Sequence, residues 1–238
     1  MGESFGSWKM GLDSEIMPHI DIANIACGFH ASDPNIMAIT IKLAIEHQVQ
    51  ISAHPAYADK QGFGRRHIPH SIEEIKHLIT YQIGALQSLC QLYGGTLDYI
   101  KPHGALYHDM MNHIDIFEAI VNTIHQLNKK HSLIVLANAN SFNYKKIADK
   151  YQVPLLYEAF ADRAYQSDGN LVPRSNDNAV LTDKIKILNH VKQLTKGFIT
   201  SQNGEQIKIK ANTICVHGDN LSAVALIQSI AKAIKNAI

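Results

Sequence analysis

Two hydrophobic rhythms alternate along this chain. Short runs dense in apolar and β-branched residues occupy Ile22 to Ala26, Val49 to Ala53, Tyr99 to Lys101, Leu133 to Ala137, Val153 to Tyr157 and Ile214 to Val216. Between them lie longer stretches whose apolar positions recur three and four residues apart, the period of an amphipathic helix. These cover Asp33 to His47, Ser71 to Leu92, Phe117 to Lys129, Tyr144 to Lys150 and Thr182 to Leu194, with a last one from about Leu221. Local signals sharpen several boundaries. Asp33 before Pro34 predicts an N-cap followed by proline at the first helical position. Ser71-Ile-Glu-Glu74 predicts a capping box. Asn203-Gly204, in the middle of Phe198 to Lys210, predicts a β-hairpin.

Six strand-helix units in succession predict a parallel sheet with helices outside it. No Gly/Ser linker or compositional shift interrupts them, so residues 1–238 are expected to form a single α/β domain. Two long loops break the rhythm, His54 to His70 and Glu158 to Asn178. The first twenty residues predict no strand, as if a preceding strand had been cut off.

Composition narrows the class. With 238 residues, 46% of them hydrophobic and 18% charged, the chain can bury a full core without staples. A formal net charge of +1 with scattered lysines argues against nucleic acid as a partner. Cys27, Cys90 and Cys215 are too few and too far apart for a disulfide framework or a zinc ribbon. They predict a reduced, cytoplasmic protein. No signal sequence or membrane-length apolar run is present.

The 14 histidines change the picture. Four of the strand-like runs end in a histidine beside glycine or proline. They are Asn24-Ile-Ala-Cys-Gly-Phe-His30, Ile51-Ser-Ala-His-Pro55, Tyr99-Ile-Lys-Pro-His-Gly104 and Thr213-Ile-Cys-Val-His-Gly218. In α/β barrels, polar groups delivered at strand ends assemble the active site. His30, His54, His103 and His217 are therefore expected on a functional rim, as acid/base groups or metal ligands. Asp33 and Asp219 stand near two of them, although each also suits a helix cap. Lys101, ending a buried strand, predicts a polar pocket. Gly62-Phe-Gly-Arg-Arg66 combines backbone freedom with two guanidiniums, Arg65 and Arg66, able to grip an anionic substrate. Glu158, Asp162, Arg163 and Arg174 place dense charge in the second long loop. No Walker A sequence, no GxSxG elbow and no GxGxxG fingerprint occurs, which argues against P-loop, serine-hydrolase and dinucleotide chemistry.

These segments taken together resemble the LamB/YcsF family. They are Gly2-Glu-Ser-Phe-Gly-Ser-Trp8, Ala23 to His30, Ala53-His-Pro55, Gly62 to Arg66, Tyr81-Gln-Ile-Gly-Ala-Leu86, Lys101-Pro-His-Gly-Ala-Leu-Tyr107, Phe160-Ala-Asp-Arg163, Leu171-Val-Pro-Arg174 and Thr213 to Asp219. The resemblance implies a TIM-like (β/α)7 barrel of the glycoside hydrolase/deacetylase type. It implies ATP-dependent ring opening of 5-oxo-L-proline to L-glutamate, with ATP cleaved to ADP and phosphate, alongside two partner subunits, B and C. A divalent metal is a further possibility it raises, with His30, His54 and His103 in the histidine roles. The family begins with a strand of the form Asp-Leu-Asn-Cys-Asp-Leu. Here Met1 stands at its last position, so that strand and its aspartates are expected to be missing. Ser32 and Ala56 replace usual glycines.

The expected assignment makes His103, His54, Lys101 and Asp219 catalytic. It makes His30, Asn24, Arg65, Arg66, Arg163, Arg174 and His217 substrate-binding. The rival readings are a metal-dependent deacetylase-like carbohydrate hydrolase and a non-catalytic subunit that only binds substrate.

Overall fold

Six strands run in chain order with helices between them in this computed structural model, which describes residues 1–127, 130–139, 141–217 and 221–235. They are β1 (Ile22–Ala26), β2 (Gln50–His54), β3 (Leu97–Ile100), β4 (Ser132–Leu136), β5 (Leu155–Phe160) and β8 (Thr213–Cys215), in the sheet order β1-β2-β3-β4-β5-β8. The β1/β2, β2/β3, β3/β4 and β5/β8 pairs are parallel. A separate antiparallel pair, β6 (Phe198–Thr200) and β7 (Gln206–Lys208), forms the hairpin expected around Asn203-Gly204. The longer helices are α2 (Pro34–Glu46), α3 (Ile72–Leu92), α4 (Gly104–Asn112), α5 (Ile114–Leu127), α6 (Ser141–Tyr151), α7 (Lys184–Leu194) and α8 (Leu221–Lys235), preceded by a single turn, α1 (Asp13–Ile16). Sequential strands with a helix after each are the connectivity of an α/β barrel, the fold class the sequence predicts. No helix among the described residues is long and apolar enough to cross a membrane.

The chain divides into two compact units. One comprises Met1–Ile134 with Tyr144–Leu155, the other Val135–Asn143 with Leu156–Ile238. In the first unit, Ala23, Ile25, Ile51, Ser52, Ala53 and Ile100 are all buried. Neighbouring residues buried on both faces of a strand are the mark of a parallel sheet with helices over it. In the second unit, Ala161, Ile187, Val191 and Ile230 form a core that joins the end of β5 to the facing sides of α7 and α8.

Helix starts follow the local chemistry. Asp33 accepts the Asn35 and Ile36 amides at 2.9 and 3.0 Å, with Pro34 in the first turn. Ser71 and Glu74 make both bonds of the capping box. Asp183 caps α7 through the Lys186 amide at 2.8 Å. Several boundaries differ from the sequence reading: α6 begins three residues before Tyr144, β3 two before Tyr99, and α7 two after Thr182. The strand expected at Val153 to Tyr157 lies two to three residues later, because Val153 and Pro154 lead into it. The helix expected over Phe117 to Lys129 begins earlier, at Ile114, and its last two expected positions lie outside the described residues. Helix α4 is not predicted from sequence at all.

At the outer edge of β1, the Met1 amine donates to the Asn24 carbonyl at 2.9 Å and the Ala26 amide donates to the Met1 carbonyl at 3.0 Å. Met1 thus makes the pair of bonds a parallel neighbour would make with β1.

Candidate active site

Three of the expected histidines meet in the first unit. His30 follows the β1 end, His54 closes β2, and His103 precedes α4 as its N-cap. The His30 and His103 rings stack at 3.8 Å between centroids, 6° from parallel. His54 stands edge-on to both, at 5.7 Å from His30 and 4.8 Å from His103. Phe63, from the long loop after β2, packs edge-on against His30 and His103.

The hydrogen bonds fix where the ring protons sit. His54 Nδ1 lies 2.6 Å from the Lys101 carbonyl, and His103 Nε2 lies 2.8 Å from the Phe63 carbonyl. A carbonyl only accepts, so each of these nitrogens carries its ring's proton. His54 Nε2 and His103 Nδ1 then face each other at 3.0 Å. Three contacts call for three protons, and two neutral rings supply two. Burial, with smaller contributions from neighbouring positive charge such as Lys101, holds His54 well below the usual histidine range. Burial and His103 do the same for His30. His30 and His54 are therefore neutral at rest, and the facing nitrogens of His54 and His103 are placed to share an incoming proton. Neither nitrogen of His30 has a hydrogen-bond partner, although the residue is only 2% exposed.

The same geometry tests the expected metal. Ligand nitrogens must point at the ion in the plane of their rings. His30 and His103 lie in nearly parallel stacked planes, so an ion in the plane of one ring stands well outside the plane of the other. Among the described residues no group of three or more His, Cys, Asp or Glu is placed to hold a metal ion. As arranged, the three histidines do not fit a common metal. Cys27 offers no nucleophile, since burial pushes its thiol up to about 12.

Around the histidines, the expected residues divide. Lys101 is 5% exposed, and its ammonium lies 5.8 Å from the Tyr107 ring centre. Asn24 sits on β1 with its side-chain oxygen buried and unpartnered. Arg66 is taken by Asp59, which accepts from its backbone amide at 3.3 Å and from its guanidinium. Arg65 lies over the Phe63 ring at 5.1 Å and is otherwise exposed. Asp33 is used by its cap and by the Gly6 amide at 2.9 Å, and these bonds hold its carboxyl below the usual range.

Glycine is required at Gly64. Its φ is +65°, and a Cβ there would stand 2.8 Å from His30 Cβ and 2.9 Å from His103 Cδ2. The loop can approach the stacked rings only because that atom is missing.

The second unit holds a different group. The Asp162 carboxylate lies 2.7 Å from His217 Nδ1, and His217 Nε2 lies 3.2 Å from an Arg174 guanidinium nitrogen. Arginine can only donate, so His217 accepts through Nε2 and donates through Nδ1 to Asp162. Burial raises the Asp162 carboxyl, but the His217 bond and nearby positive charge outweigh it and hold the group below the usual range. Sequence reasoning assigns the orienting role to Asp219, which lies outside the described residues. Arg163 is buried and spans loop carbonyls, donating to Ala179 at 3.1 Å and Val172 at 2.5 Å. These bonds brace the loop.

Several supporting residues carry no signal in the sequence pattern. Gln82 holds both the amide and carbonyl of Ala56, each at 2.9 Å. Asp59 organises the arginine turn, and Asp109 accepts from Tyr57 and His67. Gln82 falls inside a segment that carries the family resemblance, and that alone could have pointed to it.

The sequence profile of the LamB/YcsF family matches residues 1–238. The A subunit of 5-oxoprolinase from Vibrio cholerae serotype O1 is 55% identical over 235 residues, covering 98% of this chain and 95% of that protein. The protein of the same name from Pseudomonas fluorescens is 46% identical over 235 residues, covering 98% and 94%. The crystal structure of a lactam utilization protein from Thermus thermophilus aligns with a TM-score of 0.91 at 33% identity, over 100% of this chain and 94% of that one. Match length, identity and fold agree, and the chain belongs to the LamB/YcsF family.

Proposed function

We propose that this chain is the A subunit of an ATP-dependent 5-oxoprolinase, acting with subunits B and C to open 5-oxo-L-proline to L-glutamate. The relatives' names support the role. The observation that carries the chemistry is the pair of lone-pair nitrogens on His54 and His103, each fixed by a backbone carbonyl on the far side of its ring.

A lactam carbonyl is a poor electrophile. In the proposed sequence, ATP transfers its terminal phosphoryl group to the lactam oxygen and leaves as ADP. Water then adds to the ring carbon, giving its proton to the His54–His103 pair. The ring C–N bond breaks, its electron pair goes to nitrogen, and nitrogen takes a proton. The resulting acyl phosphate is hydrolysed by a second water to glutamate and phosphate. Lys101 is the cation suited to charge developing on oxygen. His30, with two unpartnered nitrogens in a buried place, and Asn24 are suited to hydrogen-bond substrate. Within the second unit, the Asp162–His217 pair orients Arg174, a guanidinium suited to an anion.

The test is His103→Ala in the complex reconstituted with subunits B and C. Turnover is expected to fall at least about 100-fold, the usual range for loss of a general base, with an unchanged circular dichroism spectrum. Turnover within a few-fold of wild type would remove His103 from the mechanism. The deacetylase reading is disfavoured by the stacked rings. The binding-only reading predicts that His103→Ala changes KM for 5-oxoproline and leaves kcat alone.

A further inference from the structure

We propose that Asp109 is a positioning residue for His103, acting by fastening both stems of the loop that holds the His103 ring. The inference rests on the reading of His103 as part of the base. The loop between β2 and α3 packs the Phe63 ring edge-on against His103 and hydrogen-bonds to it and to the start of α4 through backbone carbonyls. The Phe63 carbonyl accepts the His103 Nε2 proton at 2.8 Å, and the Gly64 carbonyl accepts the Ala105 amide of α4 at 2.8 Å. A backbone carbonyl is only as well placed as the loop that carries it.

Two carboxylates organise the part of that loop around Phe63 and Gly64. The first is internal. Asp59 accepts from the Gly62 amide at 2.9 Å and from Arg66, and its carbonyl takes the Gly64 amide at 2.8 Å. This stiffens the turn but ties it to nothing else. The second reaches outward. One oxygen of Asp109 accepts from the Tyr57 hydroxyl at 2.7 Å and from His67 Nδ1 at 2.8 Å. Tyr57 precedes the turn and His67 follows it. Asp109 lies six residues beyond His103, on the helix that His103 caps. The carboxylate therefore pins the two stems to the same rigid element that carries the histidine.

The parts suit a permanent tie. Tyr57 is fully buried, its ring stacks on His70 at 5.0 Å, and burial with the Asp109 bond pushes its hydroxyl above the usual tyrosine range. It remains a donor. His67 is largely exposed, with a side chain 60% accessible, so it can be changed without opening the core.

The experiment uses full-length chain labelled with 15N-histidine, alone for NMR and reconstituted with subunits B and C for kinetics. In wild type, the His103 Nε2 proton is expected to be protected from exchange with water. In His67→Ala, and further in the Tyr57→Phe/His67→Ala double variant, its exchange is expected to speed at least tenfold. The kcat should fall about tenfold while KM changes less than twofold. His67→Asn keeps a donor near the original Nδ1 position and should restore most of both. Unchanged exchange in a folded double variant would overturn the proposal, as would equal loss in His67→Ala and His67→Asn. If the wild-type complex shows no oxoprolinase turnover, the functional reading fails, and the exchange measurement still decides the role of Asp109.

Discussion

At Ser32 a residue with a side chain adopts a conformation that suits glycine. Its φ is +75°, and it is completely buried one residue before the cap of α2. The left-handed region costs an L-residue about 1–2 kcal/mol, partly offset because serine restricts the unfolded chain more than glycine does. Ser32→Gly is therefore expected to raise stability by about 0.5–1 kcal/mol, read as a shift in urea midpoint. A lower midpoint would mean that the serine hydroxyl, 3.3 Å from the Asp33 carbonyl, contributes more than the backbone loses. The family resemblance marks this position, but its conformation is a property of the fold. Ala56, the other replaced glycine, causes no such conflict, since it is not among the residues with positive φ.

Among elements, the loop after β2 shows what a sequence conveys and what it hides. The capping box at Ser71 is local, four residues speaking to one another, and it is legible. The start of α4 is not. No side chain caps it, and its Ala105 amide is satisfied by the Gly64 carbonyl, 41 residues away. No window of sequence reveals a cap supplied from that distance. Gln82 belongs to the same class. It is completely buried in α3 and grips Ala56 by amide and carbonyl, so that it sets where the loop leaves β2. Gln82→Ala leaves both backbone groups buried without partners and is expected to cost about 2–4 kcal/mol, measured by chemical denaturation. A loss below about 1 kcal/mol would show that the loop start is held by its neighbours instead.

For the whole molecule, buried histidines set how stability depends on pH. His30, His54, His131 and His190 are all lowered, with burial the leading cause in each. Their folded values lie below the unfolded value of about 6.5. As pH falls through about 6.5, the unfolded chain binds protons that the folded chain refuses, so stability is complete above that point and lost below it. Each such histidine contributes a slope of up to about 1.4 kcal/mol per pH unit. Urea midpoints at pH 7.5, 6.5 and 5.5 should fall in that order. A flat or rising series would mean that these rings are charged in the folded protein.

The sequence by itself determined the order of strands and helices apart from α4, the side-chain-capped helix starts, the hairpin and the histidines at strand ends. All of these are written in nearest neighbours or in a period of two or three to four residues. It also determined which histidines to watch, because a parallel sheet must bring its strand ends to one side. Tertiary structure alone decided what those histidines can do. Stacking His30 on His103 parts their in-plane lone pairs, and carbonyls from Lys101 and Phe63 choose which nitrogen keeps its proton. The same holds for the arginines, of which Arg66 is claimed by Asp59 and Arg163 by loop carbonyls, and for His217, which turns to Asp162. A side chain's chemistry depends on the angle and distance of its partner, and those are set only when segments far apart in the chain pack against one another.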